Sequence, residues 1–362
     1  MPKYRYYTAD LLTGNVLGDV ELYGVHVSKK ISEGGNFNGS FALNSGKPAL
    51  NDMYLSCTQP GRTALYMERN DSLIWGGILW SRTYSAQGQN MQLYAQTFDS
   101  YFEHVVFQEH FIQQRVNQEV IFKAMVDQLQ AQSACNIGLE VQTPLPTTNT
   151  PRTILVPNYE YHFARETLDA LLTEDQGLEM IIDVLPTATP DHPKKLIRLG
   201  FPLGSDNPAL SYDYPGTIYN YWMPESGANG GVKFATLGFG SGNKIARATY
   251  VDRDAIAAGY PAWWRVDNYS TIADVGILAD KAAANGHTHA MPYRTPTFEL
   301  RSDVGVGFTG WNNVGDTFKI HIEDVRFPNG FDITSRMIGW EFDPQSGEGP
   351  EILKFAIDGA EM

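Results

Sequence analysis

Residues 73–101 read LIWGGILWSRTYSAQGQNMQLYAQTFDSY, and their pattern sets the fold. An apolar run around Gly76 and Gly77 comes first, then the turn formers SRTYSAQGQN, then MQLYAQTF. In that last piece Met91, Leu93 and Ala95 alternate with Gln92, Tyr94 and Gln96. Period-two alternation sends one set of side chains to a core and the other to a wetter face. The stretch therefore predicts two strands around a polar turn, closed by an aromatic that leads into a long helix. No residue in it has catalytic chemistry to offer.

The same reading extends outward. Val20, Leu22, Val25 and Val27 mark an early strand pair, and SEGGNFNGSFALNSGKP reads as a Gly/Asn/Ser loop with short extended pieces. PGRTALYMERNDSLIWGGILW carries a hairpin with turn chemistry at Asn70 and Asp71. A helix is expected over residues 101–133, where Ile112, Val116 and Val120 recur every four residues and Ile121, Met125 and Leu129 continue the row. QTPLPTTNTPRT, 142–153, is a connection without periodicity. A second helix is expected over 164–174, followed by the strand pair LEMIIDVLP and KKLIRLGFP.

Strands resume near residue 216 with GTIYNYW, VKFATLGFGSG and KIARATYVDR. A third helix is expected over 271–284, with Thr271 and Asp274 as a capping box and Gly286 as its left-handed stop. FELRSDVG, GDTFKIHIED, SRMIGWEF and EILKFAI close the chain as four strands. The fold class is thus α+β, mainly β. Its 362 residues predict two or three domains. The expected division is a β-barrel or sandwich over 1–103, a helical and α/β insert over 104–215, and a second β-barrel over 216–362 that contains the third helix.

Net charge is −14, with 27 Lys and Arg against 41 Asp and Glu. Gripping nucleic acid needs a basic footprint, so that class is disfavoured. An acidic lumen that lets DNA slide past without sticking stays compatible with the charge. Two cysteines, Cys57 and Cys135, are too few for a disulfide framework, which points to a reducing cytosol. The N-terminus MPKYRYYTADLLTGNV has no hydrophobic signal region, and no run reaches the ~18 apolar residues of a membrane span.

Each candidate for chemistry has a simpler reading beside it. His287 and His289 form an H-x-H pair, but no Cys, Asp or Glu stands close by at zinc-like spacing, and a polar loop after a helix suffices. GFGSG, Gly238 to Gly242, lacks the spacing of a phosphate loop and reads as a loop between strands. Glu323, Asp324, Glu341 and Asp343 offer a carboxylate pair of the kind glycosidases use, though such residues are common at strand ends of acidic β-proteins. Ser81 and Ser85 have no nucleophile elbow. Trp263 and Trp264 could stack sugars or bases, with core or subunit-interface packing as the expected role. No catalytic, cofactor-binding or metal-binding residue is assigned, and the chain is expected not to be an enzyme.

Three segments together resemble the hub-type minor tail proteins of long-tailed phages of actinobacteria. They are residues 62–102, the helix 271–284 with Pro292 and the strand FELR, and residues 314–357. The last carries a Gly-Asp before a strand (Gly315, Asp316), an Arg opening the next (Arg336), and a turn at Ser346 to Gly349 before the final strand. The resemblance implies a homotrimeric ring at the tail tip. Its two tube-type domains per subunit adapt a hexameric tail tube to three-fold tip proteins around a DNA-exit channel. Implied partners are the distal tail protein ring, the C-terminus of the tape-measure protein and tip or fibre proteins, with DNA only in transit and no membrane insertion. Implied location is the virion tail tip, after assembly in the host cytoplasm. Family members often carry further domains. With the chain closing near its second tube domain, no appended hydrolase or fibre domain is expected. The alternatives are a β-rich carbohydrate-binding or glycoside-acting protein and a hexameric distal tail ring.

Overall fold

The computed structural model describes residues 2–44, 46–172, 178–188, 192–224, 235–239, 247–261, 263–268, 275, 278–279, 281–283, 296–301, 313–344 and 351–357. The chain divides into two compact units, Met1–Asn220 with Phe298–Ala356, and Tyr221–Thr297 with Ile357–Met362.

The first unit opens with β1 (Tyr4–Asp10), β2 (Val16–Asp19), β3 (Tyr23–Lys30), β4 (Asn36–Ala42), α1 (Pro48–Cys57), β5 (Thr63–Arg69), β6 (Ser72–Ser85) and β7 (Asn90–Thr97). Their order in the sheet is β3-β4-β7-β6-β5-β1-β2. The pairings are antiparallel throughout. At the β5–β6 turn Asn70 and Asp71 have φ of 50° and 60°, the left-handed pair that a two-residue hairpin turn demands. Strand β7 alternates as the sequence predicts: Met91, Leu93 and Ala95 are buried, and Gln92 is exposed.

Strand β6 does not alternate, because both of its faces are covered. Leu73 to Leu79 are buried without interruption. On one face Trp75 packs on Phe37 with ring centroids 5.2 Å apart, and its Nε1 donates to Ser28 O at 2.9 Å. On the other, Gly76 leaves room for Val184 of a later strand, whose Cγ1 would lie 2.7 Å from a Cβ at that position. Burial on both sides yields a continuous apolar run.

The long helix expected over 101–133 is not formed. The chain makes a 3-10 turn (Phe98–Glu103), then β8 (Phe111–Asn117), and only then α2 (Gln118–Ala131). Phe107 and Phe111 stack at 4.9 Å and are buried. Strand β8 pairs with β10 (Pro151–Val156), a strand starting inside the stretch read as a connection. Arg115 has φ of 53°, which breaks helical continuity. Ile112 and Val120, read as part of the apolar row, are exposed, while Ile121, Met125 and Leu129 are buried on α2. A distant strand partner overrode a local helical pattern.

Three further elements complete this segment. They are β9 (Leu139–Val141), α3 (Ala164–Leu172), and the hairpin of β11 (Glu179–Leu185) and β12 (Lys194–Gly200). The last three strands form a small sheet in the order β11-β12-β9. The core is shared. Tyr7, Tyr66 and Ile78 from the large sheet and Phe98 from the 3-10 turn pack in one cluster with Phe122, Met125, Leu168, Met180 and Val184.

Strands β13 (Asp206–Tyr214) and β14 (Ile218–Trp222) follow. The second unit then contributes β15 (Ala235–Phe239), β16 (Arg247–Val251), a one-turn helix α4 (Arg253–Ala257) capped by Asp252, and β17 (Trp264–Asn268). Strands β16 and β17 flank β15. Within the helix expected over 271–284, the residues Val275, Leu278, Ala279 and Lys281 to Ala283 are helical. Thr271, Asp274, Gly286 and Pro292 lie outside the described residues.

The chain ends with the four expected strands: β18 (Thr297–Arg301), β19 (Thr317–Ile322), β20 (Phe331–Phe342) and β21 (Ile352–Ile357). Phe298, Phe318 and Phe355 form an aromatic core here, with centroids of successive pairs 5.2 Å apart. Strand β20 joins the C-terminal strands of the main sheet to its N-terminal ones. Its residues from Phe331 to Arg336 pair with β19, and those from Gly339 to Phe342 pair with β3.

Gly77 sits on β6 opposite Thr97 of β7. A Cβ there would lie 2.1 Å from Gln96 O and 2.6 Å from the Trp75 ring. Because one obstacle is backbone, G77A is expected to destabilise by about 2 kcal/mol, lowering the midpoint of a thermal melt by about 4–8 °C. An unchanged melt would contradict the close approach.

Candidate functional site at the junction of the main sheet and the α/β segment

The Gly-Asp pair and the Arg singled out in the sequence meet at one place. Gly315 has φ of 105°, and its N–H donates to Met337 O at 2.8 Å. Its carbonyl would lie 2.0 Å from a Cβ at Gly204, so two backbones touch where the segment after β12 passes. Asp316 is buried. It accepts from Ser205 N at 3.0 Å and from Asn313 Nδ2 at 2.8 Å. Arg336 on β20 holds Glu179 of β11 through both terminal nitrogens (Nη2 to Oε1, 2.9 Å) and donates to Leu203 O at 3.1 Å. Glu179 in turn accepts from Leu203 N at 2.8 Å. A planar guanidinium that grips a carboxylate with two bonds fixes direction as well as distance.

Beside this cluster lies a group that the sequence reading missed. Lys29 of β3 and Asp183 of β11 are both almost fully buried and form an ion pair, and Arg198 of β12 closes on the second Asp183 oxygen. Arg198 also donates to Val314 O at 3.2 Å. Burial by itself would raise the Asp183 carboxyl, but the adjacent Lys29 and Arg198 outweigh it and hold the group below the usual carboxylate range. A signal was present: Asp183 is the one charge inside the apolar run MIIDVL. Lys195 is a third buried charge. Its Nζ donates to Ile137 O at 2.5 Å and sits 5.0 Å over the Phe98 ring. Burial lowers its ammonium to about 8.

This geometry clamps three segments of the chain together. Among the described residues, those weighed for chemistry fall in separate places. Glu323 and Asp324 lie past the end of β19. Asp324 there accepts the N–H groups of Arg326 and Phe327, at 2.8 and 3.0 Å, as a turn former. Glu341 and Asp343 lie at the far end of β20, about 30 Å along the strand from Glu323 and Asp324, and line one cleft with Glu299, His26 and Lys354. Asp343 bonds His26 Nδ1 at 2.6 Å. Ser81 is exposed on β6, and Ser85 Oγ accepts the Gly88 N–H at 3.3 Å within the hairpin turn. Trp263 and Trp264 are 54% and 55% exposed, which fits the interface alternative of their expected role and not the core one. Gly238 lies on β15, while Gly240 to Gly242, His287, His289 and Ser346 to Gly349 fall outside the described residues. Among the described residues no group of three or more His, Cys, Asp or Glu could hold a metal ion. No described helix is long and apolar enough to cross a membrane.

No family profile matches the sequence, and no curated protein resembles it significantly. Solved structures do. The 43 kDa tail protein of prophage MuSo2 from Shewanella oneidensis superposes with a TM-score of 0.62 at 8% identity, over 98% of both chains. A tail protein from Neisseria meningitidis MC58 gives 0.60 at 12% identity, over 98% of this chain and 96% of that one. The prophage tail protein gp18 from Listeria monocytogenes EGD-e gives 0.54 at 9% identity, over 98% and 95%. The chain has the fold of phage tail proteins, α+β and mainly β, over its whole length.

Two stability measurements test the junction. K29M strands a buried carboxylate beside a single cation, and the loss is expected to be about 3–5 kcal/mol in denaturant unfolding. Lys195 acts in the opposite sense. Its folded-state value lies below that of the unfolded chain, so its contribution rises as pH climbs from about 8 towards 10.5, and below about 8 the full penalty applies. That penalty is on the order of 3 kcal/mol. K195M is therefore expected to be more stable than wild type at pH 7, with the difference shrinking as pH rises through this window.

Proposed function

We propose that this protein is a structural component of a phage virion that forms the hub at the tail tip, in the manner of the minor tail proteins of actinobacterial long-tailed phages. The observation that carries the reading is the superposition, end to end, on solved phage tail proteins. The junction supports it as well, since the resemblance residues Gly315, Asp316 and Arg336 all serve one structural clamp.

In this proposal three copies close a ring. Residues 1–103 supply one tube-type domain, 216–362 a second, and 104–215 the inserted α/β part. Six tube-type domains then continue a hexameric tail tube, which suits closed ring symmetry. The ring receives the distal tail protein above and tip or fibre proteins below, and contacts the C-terminus of the tape-measure protein. Each chain carries −14, and an acidic bore would repel DNA in transit and so keep it moving. The protein acts without enzymatic chemistry and without a cofactor. It reaches the virion after assembly in the host cytoplasm.

Light scattering across a concentration series checks the oligomer. The expected species has about three times the 40.3 kDa of one chain. A hexamer would instead favour a distal tail ring. A monomer at all concentrations that also binds a soluble glycan would favour the carbohydrate-binding alternative.

A further inference from the structure

The curled sheet of the first unit is left open at one seam. Tyr4 of β1 packs against Phe342 at the end of β20, with ring centroids 6.2 Å apart. Its hydroxyl and Arg69 of β5 both bond Glu351, which precedes β21. The two sides of the sheet thus come together at this point, yet among the described residues no strand bridges the gap beside it. The ladder of β2 on β1 begins only at Tyr7. The ladder of β20 on β3 begins only at Val27, so Tyr23 to His26 run on beyond it. Between these walls lies a cleft of about 590 Å³. That is within the ~300–1,000 Å³ of ordinary binding sites.

The lining of the cleft says what would fit. Its floor is apolar and aromatic: Tyr6, Val25 and Tyr54 are buried there. Tyr23 and Met53 stand on the rim, both well exposed. Arg5 is the one cation among the described lining residues, and its guanidinium is held by Asp19 at 3.0 Å and Glu68 at 3.5 Å. Exposed Asp19 and Glu21 leave the rim net negative.

We propose that this cleft docks an extended segment of a different protein, with basic residues alternating with apolar ones, which pairs with β3 as an added strand. The strand wall supplies main-chain hydrogen bonds. The tyrosine and valine floor takes every second side chain, as in other cases of strand addition. The acidic rim and the tyrosine faces favour Lys or Arg at the positions between. A second copy of this chain as occupant is an outcome that the test below separates. The proposal stands apart from the hub reading, since it requires neither a ring nor three-fold symmetry.

Fluorescence anisotropy on the full-length chain at physiological salt tests it. The probe is a labelled eight-residue peptide of alternating Lys and Val, compared with its Glu-Val counterpart. The expected result is binding at least about tenfold tighter for the Lys-Val peptide. Methylating alternate peptide nitrogens along one edge should weaken it by about tenfold or more, because strand pairing needs those donors. Y23K and M53K change exposed rim residues, so folding is expected to survive, as a thermal melt would confirm. Each should weaken binding by a similar factor, whereas D127K on α2 should leave it unchanged. Equal binding of the two peptides overturns the proposal, as does indifference to N-methylation. Equal weakening by D127K would reveal general charge attraction and overturn it too. So would a loss of self-association in Y23K or M53K, which would make the cleft a contact between copies of this chain.

Discussion

The fold depends on a single strand being shared by two parts of the molecule. Phe331 to Phe342 is twelve residues long, about twice an ordinary strand. Its first half completes the C-terminal sheet with β19, and its second half lies on β3 near the N-terminus. The buried positions record the handover. Ile333, Ser335, Met337 and Gly339 are covered, then Trp340 and Phe342. A strand with period two can change from odd to even buried positions only by changing which face meets a core. Gly339 marks the change, and a Cβ there would come within 2.8 Å of Lys29 O. One continuous hydrogen-bond ladder therefore joins sequence ends more than three hundred residues apart. Bending between the two parts would break it.

The buried charges follow from that arrangement. The small β11–β12 hairpin lies against the strand handover and is tied to it by Asp183 with Lys29 and by Glu179 with Arg336. An apolar contact of the same area would bind without choosing a direction. Ion pairs taken out of water are poor stabilisers compared with well-packed apolar groups. Removing one partner is nevertheless severe, so they penalise any misplaced docking. Lys195, held by a carbonyl and an aromatic face, is a net strain on the same segment.

Comparison of the two levels is instructive at particular residues. The alternation in MQLYAQTF was legible because β7 has one covered face, and the Asn70-Asp71 turn was legible because its backbone demands are local. The four C-terminal strands and the 164–172 helix were legible for the same reason. The stretch from 101 to 117 was not. Its apolar residues suit a helix, and only pairing with residues 151–156 and the burial of Phe107 and Phe111 made it a turn and a strand. Helix α1 was hidden in a Gly/Asn/Ser-rich region, since Pro48 opens it and only Tyr54 and Cys57 are buried from it.

The sequence by itself determined the mainly β character, the acidic balance and the hairpins, because each rests on composition or on neighbours a few residues apart. It also marked Gly315, Asp316 and Arg336, though not what joins them. Tertiary structure alone decided that these three meet Glu179, Leu203 and Ser205, that Lys29 finds Asp183, and that the seam beside β1 stays open. Those outcomes depend on contacts between residues one hundred or more positions apart, and no periodicity in a chain encodes which distant strand edge will lie beside which.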